Sequence, residues 1–227
     1  HEQRTLAEAL RTALERPDRT VDVEVVSDAQ IALDAAYDTG SGVVVIAGTG
    51  SMVMARATTG DLLRAGGWGH VLGDAGSGHA LGRAGLRAVA EAFDGGAETV
   101  LQSRIREQFD IETRDDLIRM VYWDDFDVAA VAPLVITVAE ADAVAAKILD
   151  GQLSRLADQV EWLLARTEAI APHVTLLGGL LQNEYYEQCL RRRLRDQFPD
   201  WTVEVLQENP VVGALRRAHR LASPPDE

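Results

Sequence analysis

The sequence predicts an α/β fold, and three observations carry the prediction. Short apolar or β-branched runs at 21–26, 43–47 and 174–177 alternate with segments whose apolar residues recur at helical spacing. Two of those runs end in glycines, Gly48 with Gly50 and Gly178 with Gly179. Strand signals gather near the start and return near the end, around a long helical middle.

The elements follow in order. Residues 4–15 place Leu6, Leu10 and Leu14 on one helical stripe, and a turn is expected at 16–19. The run with Val21, Val23, Val25 and Val26 predicts a strand, and Ser27 with Asp28 stand where the helix AQIALDAAY takes its N-cap. Residues 43–47, apolar without a break, predict a strand buried on both faces. MVMARAT and LLRAG predict a hairpin about Thr59, Gly60 and Asp61, which brings two glycine clusters to one side of a sheet. From 78 to about 171 the pattern is helical, including an alanine-rich segment at 138–166, and Pro133 is expected to break it. The strand VTLL, a helix at about 184–197, the strand WTVEVL and a helix after Pro210 complete the chain. There is no internal repeat.

Charge and composition narrow the function classes. A formal net charge of −14 repels nucleic acid and anionic membranes over about 8 Å at physiological salt, so neither is an expected partner. An anionic cofactor still binds through backbone amides and helix N-termini, which act locally. Cys189 is the one cysteine, which excludes an intrachain disulfide or a cysteine cage for metal and fits a reducing cytoplasm. No apolar run reaches the ~20 residues of a membrane span. The chain opens at His1 inside a helical pattern, from which missing upstream sequence is expected.

The candidate site residues lie in and around 43–79. Gly48, Thr49, Gly50 and Ser51 follow a buried strand and offer unhindered amides and two hydroxyls, the chemistry of a phosphate cradle. Gly67, Trp68, Gly69 and Asp74 add a flat ring, which stacks on a sugar face, and a carboxylate, which accepts from hydroxyls. Trp68 also reads as a core or interface aromatic, though its flanking glycines leave it free to face a cleft, and Asp74 as a turn residue. Asp28 reads as a helix cap and as a general base at a strand end, two roles that can hold together. Gly178 and Gly179 are packing glycines or a rest for a nucleotide. Lys147, the sole lysine, lies in a helical stretch, which excludes a Walker A loop. His70 and His79 make no recognisable metal site, and no metal ligand is assigned. Asp124, Asp125 and Asp127 read as a solvated loop, and Arg191, Arg192 and Arg193 as surface.

The ordered motifs VSDAQIAL, IAGTGS, AGGWGHVLGDAGSG, VTLLGGLLQN and PVVGALRRA resemble the N-acetylglucosamine kinase branch of the BadF/BadG/BcrA/BcrD ATPase family, within the actin, sugar kinase and Hsp70 superfamily. The resemblance runs over about 23–218. It implies a ribonuclease H-like, actin-like ATPase fold, with 40–209 as the second domain and 1–39 plus the helix 210–227 as a remnant of the first. It implies transfer of the γ-phosphoryl of ATP, with Mg²⁺, to the 6-hydroxyl of N-acetylglucosamine or glucosamine in a cytoplasmic, dimeric kinase. Asp28 matches the catalytic aspartate, Gly48 to Ser51 the second phosphate loop, Gly67, Trp68, Gly69 and Asp74 the sugar segment, and Gly178 with Gly179 the adenosine rest.

Two departures qualify what the resemblance implies. The family's opening DGGGTKT-type loop, which organises Mg²⁺, has no counterpart here, so the chain is expected to be an N-terminally shortened portion that is inactive alone. Ala75 stands where many relatives carry glutamate. A non-catalytic sugar-binding or sensing protein derived from such a kinase is the alternative. An iron–sulfur ATPase of the same family needs more cysteines than Cys189.

Overall fold

The structure, a computed structural model, describes residues 2–16 and 21–222. The expected turn at 16–19 falls, from 17 on, outside the described residues, as does the final helix beyond 222. The chain forms α1 (Glu2–Leu14), α2 (Asp28–Tyr37), β1 (Gly42–Ala47), β2 (Ser51–Arg56), β3 (Leu62–Gly66), a one-turn α3 (Gly69–Leu72), α4 (Gly78–Phe93), α5 (Val100–Phe109) and α6 (Arg114–Trp123). A 3-10 turn at Val128–Val131, α7 (Ala132–Val138) and α8 (Ala143–Leu164) follow. Then come β4 (His173–Leu177), a 3-10 turn at Gly179–Gln182, α9 (Glu184–Gln197), β5 (Thr202–Val205) and α10 (Val211–Ala222).

The five strands form one sheet in the order β3-β2-β1-β4-β5. β1, β2 and β3 make an antiparallel meander, while β4 pairs parallel with both β1 and β5. The predicted α/β class describes this mixed sheet.

Alternation along β1 divides the interior into two layers. Val43, Val45 and Ala47 enter the main core, formed with helices α4 to α9, where Leu81, Leu101, Ile136, Leu156 and Leu190 are fully buried. Val44 turns to the opposite face, where Ala29, Ala32 and Leu33 of α2 cover it with Met54 and Leu177. The expected boundary at residue 39 thus falls between α2 and β1, which share a core layer.

Helix α10 lies over α2 so closely that a Cβ on Gly213 would stand 2.1 Å from the Ile31 carbonyl oxygen. Beneath this crossing Asp34, fully buried, pairs with Arg56 from β2 and with Arg217 and Arg220 from α10, the latter two at 2.8 and 3.2 Å. Arg217 also binds Glu24 at 2.7 Å. This hydrogen-bonded guanidinium holds the Glu24 carboxyl below its ordinary range. Among the described residues no single helix is long and apolar enough to cross a membrane.

Three local expectations are corrected. Residues 21–26 form no strand: the sheet ends at β3 and β5, and the segment pairs with neither. The N-cap of α2 is Ser27, in a capping box with Gln30, so Asp28 is the first helical residue. Pro133 does not break a helix but sits in the first turn of α7, where a missing N–H costs nothing. The interruption comes at 139–142, because Asp142 must cap α8. Its Oδ1 accepts from Ala145 N–H, and its Oδ2 from Val100 N–H and the Thr99 hydroxyl.

Candidate functional site

The sheet delivers its glycine loops to one end. β1 and β4 run parallel, so the loops that follow Ala47 and Leu177 leave from the same edge. A Cβ built on Gly48 would have the Gly179 nitrogen, at 3.8 Å, as its nearest neighbour, which sets the two loops side by side. Gly178 has φ +122°, and a Cβ there would lie 2.2 Å from the Ala47 carbonyl oxygen. The β4 turn therefore passes against β1 in a conformation that only glycine fits.

Residues 66–79 reach the same end after the β2–β3 hairpin, and hydrogen bonds stitch them to 48–51. The first amides of α4 close on the loop, Gly78 N–H donating to Gly48 O at 2.8 Å and His79 N–H to Thr49 O at 3.1 Å. The Ser51 hydroxyl donates to Ala75 O at 2.7 Å, and Gly67 N–H donates to Ser51 O at 3.2 Å. Ser51, buried, thus holds the second loop and does not present a free hydroxyl, whereas Thr49 is exposed. Asp74 is buried at φ 63°, its carboxylate oxygens 3.0 and 3.6 Å from where a Gly50 Cβ would stand.

Trp68 is 67% exposed, with the Arg64 guanidinium 5.9 Å from the ring centroid. It joins no core. Gly67 and Gly69 on either side both have positive φ, which turns the backbone so that the ring stands clear.

Asp28 comes to this end by the direction of its helix. Tyr37, at the far end of α2, donates its hydroxyl to Val43 O at 2.7 Å, and burial pushes this phenol up to about 12. The last turn of α2 is thereby fixed beside the start of β1. Ten helical residues rise about 15 Å, close to the length of β1, so α2 begins level with the glycine loops. Asp28 is exposed there, its Oδ1 accepting from Ala29 N–H at 2.8 Å.

Two connections escaped sequence reasoning. Tyr186, fully buried on α9, donates its hydroxyl to Gly76 O at 2.6 Å and ties the β4–α9 side to the second loop. Its nearest sequence signal is Asn183, which caps α9 and sets its rotation. His70 and His79, nine residues apart, bring their rings to 4.6 Å. Burial and then the neighbouring His70 hold His79 below the ordinary histidine range. Among the described residues no group of three or more His, Cys, Asp and Glu side chains is placed to hold a metal ion.

An open-ended sheet with glycine turns at the carboxyl ends of adjacent parallel strands is a place where α/β proteins bind phosphorylated ligands. Comparison with known proteins bears on the same feature. The chain is 30% identical over 201 residues to an N-acetylmuramic acid/N-acetylglucosamine kinase of Clostridium acetobutylicum, covering 84% of this chain and 65% of that protein. It is 27% identical over 185 residues to an N-acetyl-D-glucosamine kinase of Dictyostelium discoideum, covering 76% and 57%. It therefore spans less than two thirds of the length of both curated relatives. A crystal structure assigned as an N-acetylglucosamine kinase from Chromobacterium violaceum superposes with a TM-score of 0.77 over 96% of this chain and 72% of the other, at 24% identity, and so shares the fold. The model of the BadF/BadG/BcrA/BcrD ATPase family matches residues 3–216, and with the strand order and the glycine turns in agreement, the chain belongs to that family.

Proposed function

We propose that the whole protein is an ATP-dependent kinase of an amino sugar of the N-acetylglucosamine type, acting on the sugar 6-hydroxyl. One observation carries the reading. Loops 48–51, 67–79 and 178–179 converge on one end of the sheet, and α2 starts with Asp28 at that end. The two curated relatives, both kinases by name, support it.

The residues fit a nucleotide. A Cβ on Gly179 would meet nothing within 4 Å, and one on Gly48 would meet only Gly179, so both backbones face open space that phosphates and ribose can enter. ATP, when bound, supplies the γ-phosphoryl group. The described residues offer no ready shell for Mg²⁺. The homodimer and the cytoplasmic setting expected from the resemblance belong to this proposal too.

In the proposed reaction Trp68 stacks on the apolar face of the sugar. Asp28, whose Oδ1 already accepts from Ala29, takes the 6-hydroxyl proton on Oδ2 as that oxygen bonds to phosphorus. The bond from the γ-phosphorus to the ADP oxygen breaks, and ADP leaves with the electron pair.

The test measures ADP release by the whole protein with N-acetylglucosamine, glucosamine, N-acetylmuramate and glucose. Asp28→Asn is expected to lower turnover by about 10²–10⁴-fold, the usual worth of general-base catalysis, while sugar binding persists. Turnover unchanged in that variant removes Asp28 as base, and no ADP release with any of the four sugars removes the kinase reading.

A further inference from the structure

One backbone loop away from the proposed sugar site lies a second opening. Gly73 and Ala75 line it, whereas Asp74 between them turns the other way, toward Gly50. Its remaining walls are β3, α3, the first turns of α4 and the outer face of α8, and its volume of about 670 Å³ is within the ordinary range for small-ligand sites, about 300–1,000 Å³.

The charge of this cavity opposes that of the chain. In a protein of net charge −14, four arginines line it, Arg64, Arg83, Arg155 and Arg166, against one carboxylate, Asp158. Eleven other arginines pair with carboxylates, but none of these four does so among the described residues. Two are aimed by carbonyl contacts that leave the charge uncompensated. Arg166 donates to Arg64 O at 2.8 Å and Arg83 donates to His70 O at 3.2 Å.

One further feature matches a ring-shaped ligand. Trp162 lines the cavity at 60% exposure with no partner among the described residues, an unusual placement for an indole. Gln159, only 6% exposed, completes the wall, its Oε1 turned in against Gly66.

We infer that this cavity binds an anionic saccharide, a sugar carrying a carboxylate or a phosphate, with its uncompensated arginines drawing the anion and Trp162 against the ring. The site is separate from the proposed transfer site, and its test needs no turnover, so it stands or falls apart from the kinase reading.

The experiment titrates the 227-residue chain, without nucleotide, by calorimetry and tryptophan fluorescence. The probes are N-acetylmuramate, N-acetylglucosamine 6-phosphate, N-acetylglucosamine and inorganic phosphate. The expected result is that one of the two anionic sugars binds at least about tenfold more tightly than the neutral sugar, and that salt weakens it. Preference between the two identifies a carboxylate or a phosphate as the anion. Arg155→Gln and Arg166→Gln, at exposed positions, are each expected to weaken the anionic sugar about tenfold to a hundredfold and to leave N-acetylglucosamine unaffected. Trp162→Leu is expected to weaken it as well. Equal affinity for neutral and anionic sugars, inorganic phosphate binding as tightly as either sugar, or arginine variants without effect overturns the inference. So does sedimentation showing a dimer that these same variants dissociate, which makes the face a subunit contact.

Discussion

Gly178→Ala offers a quantitative test of how the two nucleotide-side loops are built. A methyl at this position meets the Ala47 carbonyl oxygen at 2.2 Å, its carbon at 2.5 Å and its nitrogen at 2.9 Å, on a backbone with φ +122°. The neighbours are all main chain, so no side chain can swing aside. Restoring even a 3.0 Å approach requires β1 and the β4 turn to part by about 0.8 Å. Backbone strain of this kind costs about 1–3 kcal/mol and overpacking a further 1–3 kcal/mol. A loss of about 3 kcal/mol lowers the unfolding midpoint by about 6–12 °C in a chain of this size. Gly179→Ala is the internal control, because a Cβ there meets nothing within 4 Å. Thermal unfolding followed by circular dichroism should therefore separate two adjacent glycines. Gly178→Ala is expected to melt well below the parent and Gly179→Ala within a degree or two of it. In the whole protein, Gly179→Ala is expected to weaken ATP binding by intruding on the open space. A parental midpoint for Gly178→Ala would refute the close-passage argument.

Three further outcomes are expected. Asp34→Ala leaves Arg56, 8% exposed, without its carboxylate and should cost about 3–5 kcal/mol in urea unfolding, whereas a purely surface ion pair would cost under about 1 kcal/mol. Tyr186→Phe removes the 2.6 Å bond to Gly76 O and should destabilise by about 1–3 kcal/mol, with faster amide exchange at 73–78 as the local readout. Asp142→Asn should cost about 1–2 kcal/mol near neutral pH. Burial raises the Asp142 carboxyl, but bonds from Ala145, Val100 and Thr99 outweigh it and leave the group below its ordinary value. Its stabilisation is therefore present above the unfolded carboxylate value of about 3.9 and fades as pH falls through the lower folded value. The gap between parent and variant should close in acid, and a gap that widens there would contradict the assignment.

What the sequence revealed depended on whether a signal was local. Helix α9 was legible to its ends because Asn183 caps it and a proline follows Phe198. β1 was legible from an unbroken apolar run, and both glycine turns from their place behind such runs. Residues 21–26 misled because β-branched residues favour a strand only where a neighbouring strand offers its edge. Pro133 misled because its effect depends on where in a helix it falls. The Asp34 cluster could not be read at all. The aspartate looks like an ordinary polar residue of AQIALDAAY, and its partners Arg217 and Arg220 come from more than 180 residues away. Arg191 and Arg193, expected to be plain surface, are half-buried and paired with Glu187 and Asp150.

The placement of the candidate site follows from counting strands. β1 carries the chain to the end where Gly48 turns, β2 carries it away, and β3 brings it back, so Gly66 to Gly69 arrive beside Gly48 to Ser51 after an even number of reversals. β4, parallel to β1, adds Gly178 to the same end without needing the hairpin. A meander shortened by one strand would leave Trp68 and Asp74 about one strand length away, some 17–20 Å from the first glycine loop. The bonds from Ser51 to Ala75, from Gly78 to Gly48 and from Tyr186 to Gly76 then lock the three arrivals together. The sequence motif is thus held by topology first and by hydrogen bonds second, which explains why glycines spread over 130 residues can act as one surface.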